Sequence, residues 1–401
     1  MLWTALLKHL TSTINPDANL PARLVFWNGE QLDLGEHASP RVILRVNSIN
    51  ALPYLAVPSL DGLGDAYVKG LIDLEGSVKD VIKLGNSLVA YTHVSRARLN
   101  QLRRRLRNAW RSDRAAIRQH YDVSNDFYQL WLDPDMVYSC AYFECGSEDL
   151  ATAQHRKIDH ILTKVKLEPE QRLLDVGCGW GALVMRAATQ YGARCVGVTL
   201  SQRQYELALQ RVRAAGLADR IEIRLQDFRQ VEGEFDRITS VGMFEHVGRR
   251  NLNTYFQHIH DLLAPDGLAL NHGITSTDPY ERVAASDGSE FIDKYVFPKG
   301  ELPHVGLVLH AMQCGGLEAL DVENLRRHYA RTLECWVSRF EEHGAEIQQE
   351  VDAATYRIWR IYLAGCAYAF QHDQLAIYQV LCQRAGRDAN TISWSRRYMY
   401  E

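Results

Sequence analysis

The chain has no uninterrupted apolar run of the ~18–20 residues that a bilayer-spanning helix needs, so no transmembrane helix is expected. Its first residues lack a basic segment followed by an apolar run and a small-residue cleavage site, so no secretory signal peptide is expected either. Residues 1–10 place Leu2, Trp3, Leu6, Leu7 and Leu10 around Lys8, which suits an amphipathic helix. Eight cysteines are present without a C-x-x-C pair, and several fall inside apolar elements. Reduced thiols of a cytoplasmic protein are therefore expected, with no disulfide framework and no metal site. Internal repeats and low-complexity stretches are absent as well. What remains is ordinary globular composition, 46% hydrophobic and 23% charged, over 401 residues, a length that suggests two domains.

The net charge of −4 is unevenly spread. Residues 96–118 hold nine arginines and one acid, Asp113, so this window carries +8 against −12 elsewhere. Leu99, Leu102, Leu106, Trp110 and Ile117 recur among the arginines at helical spacing. A basic amphipathic helix with a Trp suits an anionic membrane surface, with Arg103, Arg104, Arg105 and Arg107 at its centre. A solvated interdomain helix fits equally well. Nucleic acid is not expected as a partner, because no nucleic-acid motif accompanies the patch and the chain is acidic overall.

In the segment Leu173-Leu174-Asp175-Val176-Gly177-Cys178-Gly179-Trp180-Gly181, an apolar run is followed by three glycines spaced two apart. A helix-forming stretch comes next, so the segment reads as strand, tight turn and helix N-terminus, where backbone amides can approach a ligand. Strand and helix signals then alternate. Residues 194–200 read as a strand, Ser201 caps a helix, residues 221–225 and 235–242 are strands, 255–263 a helix and 267–274 a strand. Such repeats imply a parallel sheet with ligands at the carboxyl ends of its strands. After Gly273 the pattern turns helical, including 353–370, and is read as a helical cover over the site. Upstream, 41–46 reads as a strand and 67–76 as a compact strand-turn element of a smaller α/β domain.

The glycine loop resembles that of an S-adenosylmethionine (SAM) methyltransferase, except that Thr199-Leu200-Ser201 stands where such enzymes carry an acid for the ribose. Further motifs occur in order: His120-Tyr121-Asp122-Val123-Ser124-Asn125, Tyr138-Ser139-Cys140-Ala141-Tyr142-Phe143, Phe244-Glu245-His246, Asn271-His272-Gly273-Ile274 and His328-Tyr329-Ala330-Arg331. Together they resemble the cyclopropane-fatty-acyl-phospholipid synthases and mycolic acid cyclopropane synthases, a family that uses Thr-Leu-Ser and a following Gln, here Gln204. Asp73-Leu74-Glu75-Gly76 resembles the N-terminal domain of the phospholipid-acting branch.

The resemblance implies a Rossmann-like class I SAM-dependent methyltransferase domain behind a smaller N-terminal α/β domain. The expected divisions are 1–92, an N-terminal lipid-positioning and dimerisation domain, 93–118, a basic linker, and 119–401, the catalytic domain. The implied reaction converts a cis double bond of a phospholipid acyl chain into a cyclopropane. Bicarbonate is implied as base, gripped by Cys140, Glu245, His272, Tyr329 and the backbone of Ile274, while Cys366 is a secondary catalytic candidate that its apolar helical setting also suits for packing. For SAM it implies Tyr138, Ser139, Asp175, Gly177, Gly179 and Gly181 near the methionyl end, Thr199, Leu200, Ser201 and Gln204 near the ribose, Asp227 and Phe228 near the adenine, and Val241 beneath. A homodimer on the inner face of the membrane, with unsaturated phospholipid as partner, completes the expectation. The rivals are methyl-branch formation, a small-molecule N-methyltransferase, which the N-terminal domain disfavours, and a silent lipid-binding scaffold, which intact Glu245, His272 and Tyr329 disfavour.

Overall fold

The computed structural model describes residues 21–35, 39–56, 58–91, 123–279, 289–297, 301–386 and 393–400. The expected amphipathic helix at 1–10 and the arginine helix at 96–118 lie outside the described residues. The chain forms two compact units, each discontinuous in sequence.

The first unit comprises residues 1–123, 283–298 and 340–368. Its four-stranded sheet runs in the order β2 (Gln31–Leu34), β1 (Ala22–Phe26), β3 (Val42–Val46), β4 (Ile72–Glu75). The β1–β3 pair is parallel and the other two are antiparallel. Period-two burial in β1 and β3 sends Leu24, Phe26, Leu44 and Val46 into one core with Ala66, Tyr67, Leu84 and Leu88. The strand-turn reading of 67–76 needs correction, because Tyr67 and Val68 end the helix Leu60–Val68 and only Ile72–Glu75 is strand. Ser59 caps that helix by accepting from the Gly62 amide, a signal that lies upstream of the stretch read. Segments 283–298 and 340–368, which the sequence reading assigns to the catalytic domain, cluster with this unit, joined to it by the apolar group Val68, Phe291, Val296 and Ile358 and by polar ties. Buried Asp65 receives Lys294 Nζ at 2.6 Å and Lys69 Nζ at 2.8 Å, and Arg357 reaches Asp73 at 2.6 Å.

The second unit comprises 124–282, 299–339 and 369–401. Its seven strands are β5 (Arg172–Val176), β6 (Arg194–Thr199), β7 (Ile221–Leu225), β8 (Phe235–Val241), β9 (Leu263–Ser276), β10 (Leu317–Asn324) and β11 (Leu375–Arg384), in the order β10-β11-β9-β8-β5-β6-β7. Strands β5 to β9 are mutually parallel, whereas β11 is antiparallel to both β9 and β10. Successive residues face opposite sides. Leu173, Cys195 and Leu268 join the helices Leu150–Lys164, Ala182–Tyr191 and Gln202–Ala214, while Leu174, Val196 and Ala269 join Leu252–Leu262 and Val305–Cys314. This is the class I SAM methyltransferase fold. The expectation that the sheet ends after Gly273 is corrected here, since β10 and β11 complete it. Edge strand β10 buries only Leu317 fully and carries Glu318, Asp321 and Glu323, so it shows little apolar signal. All eight cysteines are free thiols, and no described helix is long and apolar enough to cross a membrane.

Candidate active site

The carboxyl ends of β5, β6, β8 and β9 carry the expected residues. After β5 the chain turns through Gly177, Gly179 and Gly181, with φ of 81°, 54° and 87°, a region that only glycine enters freely. The Gly177 and Cys178 amides donate to Val198 O at 3.0 and 2.9 Å, which pins the loop to β6 just before the helix Ala182–Tyr191 begins. Asp175 is part of the support beneath this loop. Its buried carboxylate accepts from Thr239 Oγ1 at 2.8 Å, and burial pushes it up to about 6 against that hydrogen bond and the charge of Lys157.

After β6, Thr199 Oγ1 donates to Gln204 Oε1 at 2.8 Å and accepts from the Ser201 amide at 3.2 Å. Ser201 Oγ in turn accepts from the Gln204 amide, capping the helix. Leu200 stands out of this turn, 69% exposed. After β7, Asp227 is drawn below the usual carboxylate range by Arg229, whose Nε donates at 3.0 Å. The Phe228 ring meets Tyr255 edge-on, with centroids 5.1 Å apart. Val241, half-buried, ends β8 opposite His272.

The turn Tyr138-Ser139-Cys140 lies against the helix Leu150–Lys164. The Tyr138 ring sits among Tyr128, Trp131 and Trp336 at 5.2–5.7 Å, and Gln154 Nε2 donates to the carbonyls of Val137 and Ser139. Cys140 is buried; its thiol donates to Ala141 O at 3.3 Å and points toward Leu325 O at 3.9 Å. Burial pushes that thiol far up, so it stays protonated and is no nucleophile. Leu325 O also accepts from the Tyr329 amide, and the Leu325 amide donates to Ile377 O in β11. Ile377 is paired in register with Ile274 of β9. The Tyr329 ring lies 4.7 Å from that of Phe370 and 5.9 Å from that of Trp336.

Glu245 Oε1 accepts from the Ile274 amide at 2.6 Å, so the amide implied for bicarbonate is engaged by Glu245 instead. Glu245 Oε2 is buried without a hydrogen-bond partner. Burial pushes this carboxyl up to about 7, against the Ile274 hydrogen bond. His272 is also buried. Its Nδ1 meets Gln379 Nε2 at 3.2 Å, which assigns the neutral ring's proton to Nε2. That Nε2 has no partner. Burial, followed by the charges of Lys157 and Lys164, holds His272 well below its usual value, so the ring is neutral at pH 7. Glu245 Oε2 is thus a buried acceptor and His272 Nε2 a buried donor, and Glu245 is anchored on β9 two residues beyond His272.

Cys366 falls in the first unit, on the helix Ala353–Gln371, with its thiol pushed up to about 12 by burial. Arg103, Arg104, Arg105 and Arg107 lie outside the described residues. Gln379 and Lys157 escape the sequence reading. Gln379 needs the β9–β11 register to be found, whereas Lys157 had a signal, since it falls on the stripe of Ala153, Gln154, Ile161 and Lys164 that faces inward. Burial pulls its ammonium down to about 8 against nearby Cys140, Asp133 and Asp175.

The family described as mycolic acid cyclopropane synthetase matches residues 108–380, and a domain of unknown function (DUF7884) matches residues 9–90. A Pseudomonas putida protein named "Probable fatty acid methyltransferase" is 43% identical over 95% of this chain and 97% of its own length. The Escherichia coli K12 cyclopropane-fatty-acyl-phospholipid synthase is 36% identical over 80% of this chain and 83% of that protein. A crystal structure of a mycolic acid cyclopropane synthase complexed with SAH and CTAB superposes with a TM-score of 0.63 at 36% identity, covering 68% of this chain and 98% of that one. By sequence and by fold, the chain belongs to the mycolic acid cyclopropane synthetase family of SAM-dependent methyltransferases.

Proposed function

We propose that this enzyme converts the cis double bond of an unsaturated phospholipid acyl chain into a cyclopropane ring, with bicarbonate as the base. The alkene π pair takes the sulfonium methyl of SAM, and the sulfur keeps the broken bond's electrons as S-adenosylhomocysteine leaves. A proton then departs from the new methyl, and the C–H electrons close the ring. A bound bicarbonate supplies a weak base that the carbocation does not trap. The observation that carries this reading is the pair of partnerless buried atoms, Glu245 Oε2 and His272 Nε2. Glu245 as carboxylate accepts an O–H, and neutral His272 donates, so each keeps a small oxyanion oriented where a free base would first have to be found and desolvated. The Tyr329 ring offers a face to the developing cation. Cys140, whose protonated thiol donates to Ala141 O, would turn that proton toward the base to hold it.

The E. coli relative's name supports a phospholipid substrate, and the arginine-rich window at 96–118 supports peripheral attachment to an anionic inner leaflet. A homodimer belongs to the same proposal. The P. putida relative is named a probable fatty acid methyltransferase, and methyl transfer without ring closure, giving a methyl-branched product, is the second reading. Incubation with SAM and vesicles of unsaturated phosphatidylglycerol and phosphatidylethanolamine, followed by NMR of the recovered acyl chains, separates them. Upfield cyclopropane protons support ring closure. A branched methyl or methylene signal without them replaces it, and unmodified lipid removes the phospholipid assignment.

A further inference from the structure

Lys157 is 2% exposed, yet its ammonium forms no ion pair with any described carboxylate. Its one hydrogen-bond partner among the described residues is Ser139 Oγ, at 2.6 Å. Two acidic groups act on it from beyond ion-pair distance, and both are committed elsewhere. Asp133 accepts from the Val137 and Asp135 amides at 2.9 and 3.0 Å, and Asp175 accepts from Thr239. A buried ammonium so sparsely served is costly in the absence of a further partner. Its position explains the cost. An ammonium can only donate, so Ser139 Oγ must accept from it and the hydroxyl proton must point elsewhere. Ser139 itself is half-buried, and its hydroxyl donates to no described acceptor. The arrangement leaves a hydroxyl polarised by a cation behind it, at the turn between Tyr138 and Cys140, with its proton able to turn toward an acceptor. Gln154 holds the same turn by its carbonyls, so those backbone acceptors are engaged while the hydroxyl proton is not.

We propose that Lys157 and Ser139 form an oxyanion-binding pair, in which Lys157 is a positioning residue and the Ser139 hydroxyl donates to a carboxylate-type group. This deepens the proposed function and rests on it. Two ligands of the reaction carry that chemistry, the methionyl carboxylate of SAM and bicarbonate. The charge of Lys157 also acts on Cys140 and His272.

Titration calorimetry of the full-length protein with SAM and with decarboxylated SAM, together with bicarbonate titration of the methylation rate, tests the pair in wild type and Lys157→Met. If the ligand is the methionyl carboxylate, Lys157→Met binds SAM at least tenfold more weakly but binds the decarboxylated analogue as wild type does. If it is bicarbonate, SAM affinity holds while the bicarbonate concentration for half-maximal rate rises at least tenfold. In either case the melting temperature stays level or rises, because an ill-paired buried charge has been replaced by an apolar chain of similar length. Unchanged SAM affinity together with unchanged bicarbonate dependence overturns the proposal. Should Lys157→Met fail to fold, Ser139→Ala decides, since it must reproduce the same selective loss and wild-type behaviour there overturns the pair. A wild type that binds SAM but leaves phospholipid unmodified refutes the proposed substrate and leaves the calorimetric arm intact.

Discussion

The Glu245 carboxylate and the Ile274 amide are joined by a 2.6 Å hydrogen bond, which fixes one oxygen and leaves the other, Oε2, buried and unpaired. The bond spans the turn after β8 and the far end of β9, so Glu245 is oriented by backbone rather than by a mobile side chain. Its carboxyl is held up at about 7 by burial, and both the chemistry and the stability of the protein should titrate with it.

Glu245→Gln is expected to reduce turnover by at least a hundredfold while leaving SAM affinity within about threefold of wild type, because the cofactor site proposed here lies mainly on the loop after β5. Activity of the wild type should rise as pH passes through about 7. The stability effect has the opposite sign. A carboxyl whose folded value lies above its unfolded one favours the protonated fold, so stability is lost as pH rises from about 4.5 to 7. Glu245→Gln should therefore be more stable than wild type at pH 8, by up to about 3 kcal/mol, with little difference at pH 4. Parallel denaturant melts at the two pH values check this, and equal differences at both would refute the assignment.

Depletion of carbonate under inert gas should lower the rate, and its return should restore it. A rate indifferent to bicarbonate would transfer the base role to Glu245 or Tyr329.

Gln379→Leu removes the donor to His272 Nδ1 and frees the ring to exchange tautomers. Turnover should fall about tenfold to a hundredfold, the range that loss of an orienting partner shows for metal-ligating histidines, and the half-saturating bicarbonate concentration should rise. Nitrogen NMR of the imidazole reports the tautomer directly. A ring protonated at Nε2 in the variant as in wild type would show that Gln379 does not set it.

A Cβ on Gly273 would lie 1.9 Å from Phe244 Cε1. The neighbour of Phe244 is Glu245, so Gly273→Ala should both cost about 1–3 kcal/mol of stability through overpacking and displace the carboxylate. Activity should fall further than melting temperature alone accounts for. Loss of activity that recovers on cooling in step with the folded fraction would contradict this.

In the first unit, Asp65 is buried, which raises it, but the bonds from Lys294, Lys69 and Tyr295 prevail and hold it below the usual range. Asp65→Asn removes the charge that two partly exposed ammonium groups, Lys294 and Lys69, share, and should cost about 1 kcal/mol, an effect that shrinks as wild type is acidified through that lowered value and loses the same ties. Denaturant melts from pH 7 to pH 3 measure it, and a constant difference would refute the sign.

Strands β5 to β9 were legible because parallel strands covered on both faces read as apolar runs between turn residues; Glu245 was legible because it follows the end of β8, and His272 because it lies level with Val241 at that end. Strands β10 and β11 were not. The first carries three acids on an edge, and the second places Gln379 and Gln383 in its interior, where the hydrophobic pattern breaks. Lys157 was lost because a lysine in a helix reads as solvent-facing unless the stripe it shares is noticed. The discontinuous units were invisible because ties such as Lys294 to Asp65 join residues 229 apart.

The long β9, whose partner β11 follows about a hundred residues later, has a consequence for synthesis on the ribosome. At ~5–20 residues per second, β9 is finished roughly five to twenty seconds before β11 emerges. Over that interval β8 can cover one side, while the other presents open hydrogen-bonding groups to neighbouring nascent chains. The intervening β10 cannot close it, since β10 pairs only with β11. Protection from aggregation and delivery of Gln379 to His272 thus arrive together, so a slow codon placed between the two strands would prolong exposure and delay activation at once.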